Sequence, residues 1–161
     1  MLWLFLTTQL NATTVDCQQL YQQHLETDMK LSYQQFDQTE GQGFRVLSKQ
    51  CKNEAVQLVK EYIKANNSQE DSLRWHIAQL LGELGNFDEA IQYAQSTIRT
   101  EENDGFNWND YVLGYIAYWQ NDIKTLQKQI ETLESASAHF GNVMNANLLK
   151  TFLEELRSDN C

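Results

Sequence analysis

Residues 72–95 read SLRWHIAQLLGELGNFDEAIQYAQ, and this stretch decides the fold. Leu73, Ile77, Leu80, Leu81 and Leu84 recur at the spacing that lines one face of an α-helix. Gly85 is placed to end that helix, because glycine takes the left-handed backbone of a C-terminal cap without a Cβ penalty. Asn86 can cap a second helix, with Asp88 and Glu89 in its first turn, where the positive end of the helix dipole favours carboxylates. Phe87, Ala90, Ile91 and Ala94 give that second helix its own buried stripe. The unit is helix, tight turn, helix.

The same shape recurs on either side. Gly43, Ala78 and Gly114 fall at intervals of 35 and 36 residues, and Ala55, Ala90 and Leu126 repeat the same two intervals. Short polar breaks separate each pair: Gln50–Asn53, Gly85–Asn86 and Asn121–Asp122. Three helix pairs are expected over 39–136, at 39–66, 70–100 and 106–135, with the small residue of each first helix marking a close approach by a neighbour. Ahead of them, 13–38 divides into an N-terminal helix over Val15–Met29, with Leu20, Tyr21 and Leu25 on one face, and a Gln-rich connector without period over Leu31–Gln42. Behind them, Met144, Leu148, Leu149, Phe152, Leu153 and Leu156 make an i, i+4 stripe, so 141–158 reads as a capping helix. Such a terminal helix hides one apolar face and shows water the other.

Composition agrees with an all-α chain. No proline and only 7 glycines leave few residues for the turns of a strand-rich sandwich or barrel. A hydrophobic share of 42% supports a real core, and 161 residues hold one domain or one short repeat array. Twelve Lys+Arg against 22 Asp+Glu give a net charge of −10, which argues against nucleic acid, whose backbone is bound by clustered cations. The acidity is uneven: residues 66–161 hold 6 basic and 15 acidic side chains, net −9. A partner with apolar anchors and some basic residues would be attracted, though solubility alone also accounts for the charge.

The turn and second helix of the middle unit, GNFDEAIQYAQ, resemble the tetratricopeptide repeat. The relative is degenerate. The family's Leu-Gly pair stands as Leu113-Gly114 in the third unit but as Ile77-Ala78 in the second, its closing proline is missing, and the period exceeds the usual ~34 residues. The resemblance implies a right-handed solenoid of three antiparallel helix pairs whose first helices line a concave groove. It places Ser72, Trp75, Gln79 and Glu83 toward that groove in the second unit.

The third unit is the most informative for binding. Residues 107–120 read NWNDYVLGYIAYWQ, and steps of 3, 4 and 3 put Trp108, Tyr111, Tyr115 and Tyr118 on one face, with Trp119 alongside. Val112, Leu113 and Ile116 supply a second apolar face, assigned to the core, which leaves the aromatics for the groove or for packing between units. Aromatic side chains bury large areas while keeping a polar tip, which suits recognition surfaces. The expected role is capture of a peptide or protein segment by Trp75, Gln79, Glu83, Trp108, Tyr111, Tyr115, Tyr118 and Trp119, without catalysis. A self-associating subunit of an envelope complex is the second expectation, and a helical enzyme with a site assembled across units the third.

Catalytic and cofactor signals are weak. His24, His76 and His139 are not spaced for a helical metal site, no H-E-x-x-H or phosphate-binding glycine loop occurs, and neither a metal nor a cofactor is expected. His76, beside Trp75, reads as a surface or half-buried packing residue. Leu2–Leu6 is an unbroken apolar run followed by polar residues and Ala12, so 1–12 reads as the latter part of a secretory signal lacking its basic start. No stretch reaches the ~20 apolar residues of a membrane span. In an exported chain, Cys17 and Cys51 are the expected disulfide; in a cytoplasmic one, they and Cys161 are ordinary thiols.

Overall fold

The computed structural model describes residues 15–100 and 105–159. The apolar run at 1–12 and Cys161 lie outside the described residues. Among the described residues the α-helices are, in order, α1 (Cys17–Asp28), α2 (Phe44–Ser48), α3 (Lys52–Asn66), α4 (Asp71–Glu83), α5 (Phe87–Gln95), α6 (Trp108–Trp119), α7 (Ile123–Ser135) and α8 (Phe140–Asp159). The described residues contain no strand, so the chain is all-α.

Three helices end the same way, and the sequence shows why. Gly85, Asn121 and Asn67 each take positive φ, at 76°, 56° and 48°. The reversed backbone lets Asn86 N–H reach Leu81 O at 2.9 Å and Asp122 N–H reach Ala117 O at 2.8 Å, pairing carbonyls that the helix end would otherwise leave open. Glycine pays no steric cost for that conformation, and asparagine is the next most tolerant residue. Asn86 holds the N-cap position of α5, but its side-chain amide donates to Glu89 at 3.1 Å and does not cap the backbone.

Consecutive helices pack as antiparallel neighbours, α2 with α3, α4 with α5, α6 with α7, and α8 closes on both α6 and α7. The even-numbered helices lie side by side. Phe44 of α2 meets His76 of α4, Trp75 of α4 meets Tyr111 and Tyr115 of α6, and Gly114 of α6 receives Leu149 of α8. Behind them, Lys60 of α3 reaches Glu89 of α5 at 2.7 Å. The core between the two rows is formed by Leu58, Val59, Leu73, Ile77, Val112, Leu126, Leu133 and Leu149, all essentially without solvent contact. Each such side chain contributes roughly 1.5–3 kcal/mol by leaving water. Ala55, Ala78 and Ala90 are sealed into the same core.

Several expectations need correction. Residues 39–66 do not hold two comparable helices, since α2 has only five residues. Gly43 precedes it at φ 58°, and a Cβ there would stand 2.0 Å from Phe36 O, so this position admits only glycine. The connector is not irregular throughout: Gln34–Gln38 forms a π-helical turn that buries Phe36 and Asp37 completely. Phe36 is drawn in because its ring stacks on Tyr62 at 3.8 Å. Leu113, assigned to the core, is exposed, and so is Phe87, at 42%. On α8, Leu149, Leu153 and Leu156 are buried, but Met144 and Leu148 face solvent. The last helix therefore does not present a wholly polar outer side.

The Sγ atoms of Cys17 and Cys51 are joined as a disulfide, with the Cα atoms 5.4 Å apart. The bond ties the first turn of α1 to the residue preceding α3.

Candidate functional site

Three even-numbered helices leave a cavity of about 520 Å³ between them, within the range that ligand-sized clefts occupy. On α4 the step of four residues from Gln79 to Glu83 places both on the exposed side of the helix. Tyr115, Tyr118 and Trp119 of α6 form one wall, Leu148, Phe152 and Glu155 of α8 the other, and Phe87 stands at the edge from α5. Gly82 sets the depth: a Cβ there would stand 2.6 Å from the Trp119 ring, so the indole lies directly on the α4 backbone.

Polar groups are held at fixed points around this apolar lining. Tyr118 OH donates to Glu155 at 2.7 Å while its ring stacks on Phe152 at 4.3 Å. Gln79 donates to Tyr115 OH at 3.4 Å. Glu83 accepts from Lys52 at 2.8 Å. The N-terminus of α8 is fixed by Asn142, which is fully buried. Its amide donates to Gly105 O and Ala136 O, each at 2.9 Å, and its carbonyl accepts Asn107 N–H at 2.9 Å. Asn142 thus locks the start of α8 to the start of α6, fixing the two walls.

The eight residues singled out from the sequence divide into two groups. Gln79, Glu83, Tyr115, Tyr118 and Trp119 line the cavity. Trp75, Tyr111 and Trp108 do not. Trp75 is 4% exposed and packs edge-on against Trp108 and Tyr115, with Tyr111 tilted beside it. Burial pushes the Tyr111 phenol far above its ordinary pKa, with Tyr115 adding to the effect. Trp108 donates its indole N–H to Thr97 O at 2.8 Å, and Arg99 stacks over the ring. These three rings join α4 to α6, Trp75 and Tyr111 buried and Trp108 half-buried. Tyr115 and Trp119 line the cavity although they are largely buried too. Phe87, Leu148, Phe152 and Glu155 were not singled out for binding. Phe87 fits the buried stripe of α5, and Leu148 and Phe152 fit the apolar stripe of α8.

A second polar feature escaped the sequence reading altogether. Asp37, in the π-helical turn, places Oδ1 3.0 Å from His76 Nε2 and 3.6 Å from Arg45 Nη2. Arg45 also bonds Asp37 O, and His76 Nδ1 lies 3.1 Å from Gln79 Oε1. Burial raises the Asp37 pKa, but hydrogen bonding and charge at His76, then Tyr33 and Arg45, outweigh it and hold the carboxyl below its ordinary value. A polar thread thus runs from Asp37 through His76 and Gln79 to Tyr115 at the cavity. Asp37, Arg45 and His76 come from separate segments 8 and 31 residues apart, so no local motif announces them.

Among the described residues, the side chains close enough to share a metal ion are Cys17, Cys51 and Glu54, and the two sulfurs are bonded to each other. None of the described helices is long and apolar enough to cross a membrane. No protein-family model, no curated protein and no solved structure matches this chain.

Proposed function

We propose that this chain is a non-catalytic, tetratricopeptide-like solenoid that captures a peptide or protein segment in the cleft between α4, α6 and α8. The observation that supports the reading is the cleft itself, in which an apolar lining of Phe87, Tyr118, Leu148 and Phe152 is bordered by the carboxylates Glu83 and Glu155. An apolar surface with a few fixed polar groups at its edge gains affinity from area and orientation from its hydrogen bonds. The two carboxylates and the net charge of −10 favour a segment carrying lysine or arginine beside its apolar anchors. We further propose that the protein works in an oxidising, extracytoplasmic compartment, supported by the Cys17–Cys51 bond, because such bonds persist outside the reducing cytosol.

Selection from a random twelve-residue peptide library, followed by fluorescence titration of the enriched peptides, tests this reading. The Phe87→Ala/Tyr118→Ala double variant should weaken binding at least ~10-fold, the loss expected when two aromatic contacts worth over ~1 kcal/mol each are removed. Leu113→Ala, exposed elsewhere on α6, should leave it unchanged. Equal binding by both variants, or failure of any peptide to enrich, would reject the cleft as the site.

A further inference from the structure

The cleft opens at one end onto a strip of α8 that, among the described residues, is largely left uncovered. Phe140, Met144, Leu148 and Phe152 succeed one another at intervals of four, so they lie along one ridge of the helix. Phe140 is 75% exposed, Met144 53% and Leu148 36%, while Phe152 is half-buried beneath Tyr118. The ridge runs about 18 Å, three helical turns. Isolated exposed apolar residues need no explanation, but a contiguous strip of large ones marks a contact surface.

The structure itself shows what kind of element covers such a ridge. From α4 to α6 and from α6 to α8, a side chain of one helix enters against the backbone of the other. Trp119 of α6 lies on Gly82 of α4, and Leu149 of α8 lies on Gly114 of α6. An i, i+4 ridge is complementary to the groove between equivalent rows of another helix. The charges select the partner. The cations of α8, Lys150 and Arg157, turn toward α7, where Lys150 pairs with Glu134 and Arg157 faces the hollow shared with Glu131. The ridge ends instead beside Glu155, with Glu83, itself paired with Lys52, across the cleft. A second copy of this chain would bring another charge of −10 to the contact and is disfavoured.

We infer that the Phe140–Phe152 ridge of α8 docks an amphipathic helix of a partner protein, apolar on one face and rich in lysine or arginine on its flanks. The docked helix lies along the ridge, with its basic residues toward Glu155. At the Leu148–Phe152 end the inference rests on the cleft reading above; at Phe140 and Met144 it goes beyond it.

The probe is a fluorescein-labelled, end-blocked sixteen-residue synthetic peptide with leucines on one helical face and lysines on its flanks, titrated by anisotropy into the full chain. The control has the same composition but a scrambled order, so its charge is kept and its apolar face is lost. The ordered peptide should bind at least ten times more tightly than the scrambled one, gain helicity on binding, and weaken as salt is raised. Met144→Asp, at an exposed position, should cost tenfold or more, with unchanged circular dichroism showing that the fold is intact. Equal binding of both peptides, or no loss in Met144→Asp, would overturn the inference, as would a sedimenting dimer of the chain that Met144→Asp dissolves. Phe87→Ala separates the two readings. Loss there with none in Met144→Asp leaves the cleft standing without the ridge, and the reverse leaves the ridge without the cleft.

Discussion

At the scale of single residues, the fold depends on a few positions where one side chain has no substitute. Gly82 is the sharpest case, because any Cβ must displace the Trp119 ring. Gly82→Val should destabilise the protein by about 2–3 kcal/mol in urea unfolding, as overpacking in a tight contact does, and shift tryptophan emission as the indole moves toward water. The Asp37 knot gives a prediction with a definite pH sign. The folded-state pKa of this carboxyl is depressed, so its contribution is complete above its unfolded value of about 3.9 and is lost as pH falls through the folded value. Asp37→Asn should therefore flatten the acid limb of a stability–pH profile. His76→Ala, which strips a buried carboxylate of a main partner, should cost about 3 kcal/mol, and adding Asp37→Asn should recover part of that loss. None of this was legible in the sequence. Asp37 sits in a glutamine-rich stretch without periodicity, and its partners arrive only through tertiary packing.

Elements were easier to read where periodicity and turn chemistry agree. The stripe Leu73–Ile77–Leu81 is buried, and Gly85 and Asn121 are the points where the backbone turns left-handed. Asn121→Ala should cost about 1–2 kcal/mol, because alanine pays the left-handed penalty that asparagine softens, whereas Asn121→Gly should be tolerated. Chevron or equilibrium denaturation of the pair would show the difference. Reading failed where one face had to be chosen from two. Phe87 fits the helical stripe of α5 as well as any core residue, yet it is exposed at the edge of the cleft. The same ambiguity on α8 hid the exposed ridge within a stripe that also holds Leu149 and Leu153. The disulfide closes a loop of 34 residues, and its reduction should lower stability by roughly 3–4 kcal/mol. Thiol counting under denaturing conditions should find one free thiol in the untreated chain and three after reductant.

For the whole molecule, packing and function draw on the same aromatic inventory. In the sequence, Trp108 and Tyr111 are indistinguishable from Tyr118, because all three satisfy the spacing of one helical face, and Trp75 takes a groove position only through the repeat resemblance. Burial separates them: Trp75 and Tyr111 are sealed between α4 and α6, while Tyr118, Leu148 and Phe152 border the open space where α4, α6 and α8 meet. The rings that build the scaffold thus lie directly under those that border the cleft. A residue-resolved NMR titration of the isotope-labelled chain with a library-selected peptide tests the central claim most directly. The account predicts that shifts on binding concentrate at Gln79, Gly82, Glu83, Phe87, Tyr118 and Phe152, with Leu113 unmoved. Shifts confined to the α3–α5–α7 side, or to the Asp37 turn, would contradict it.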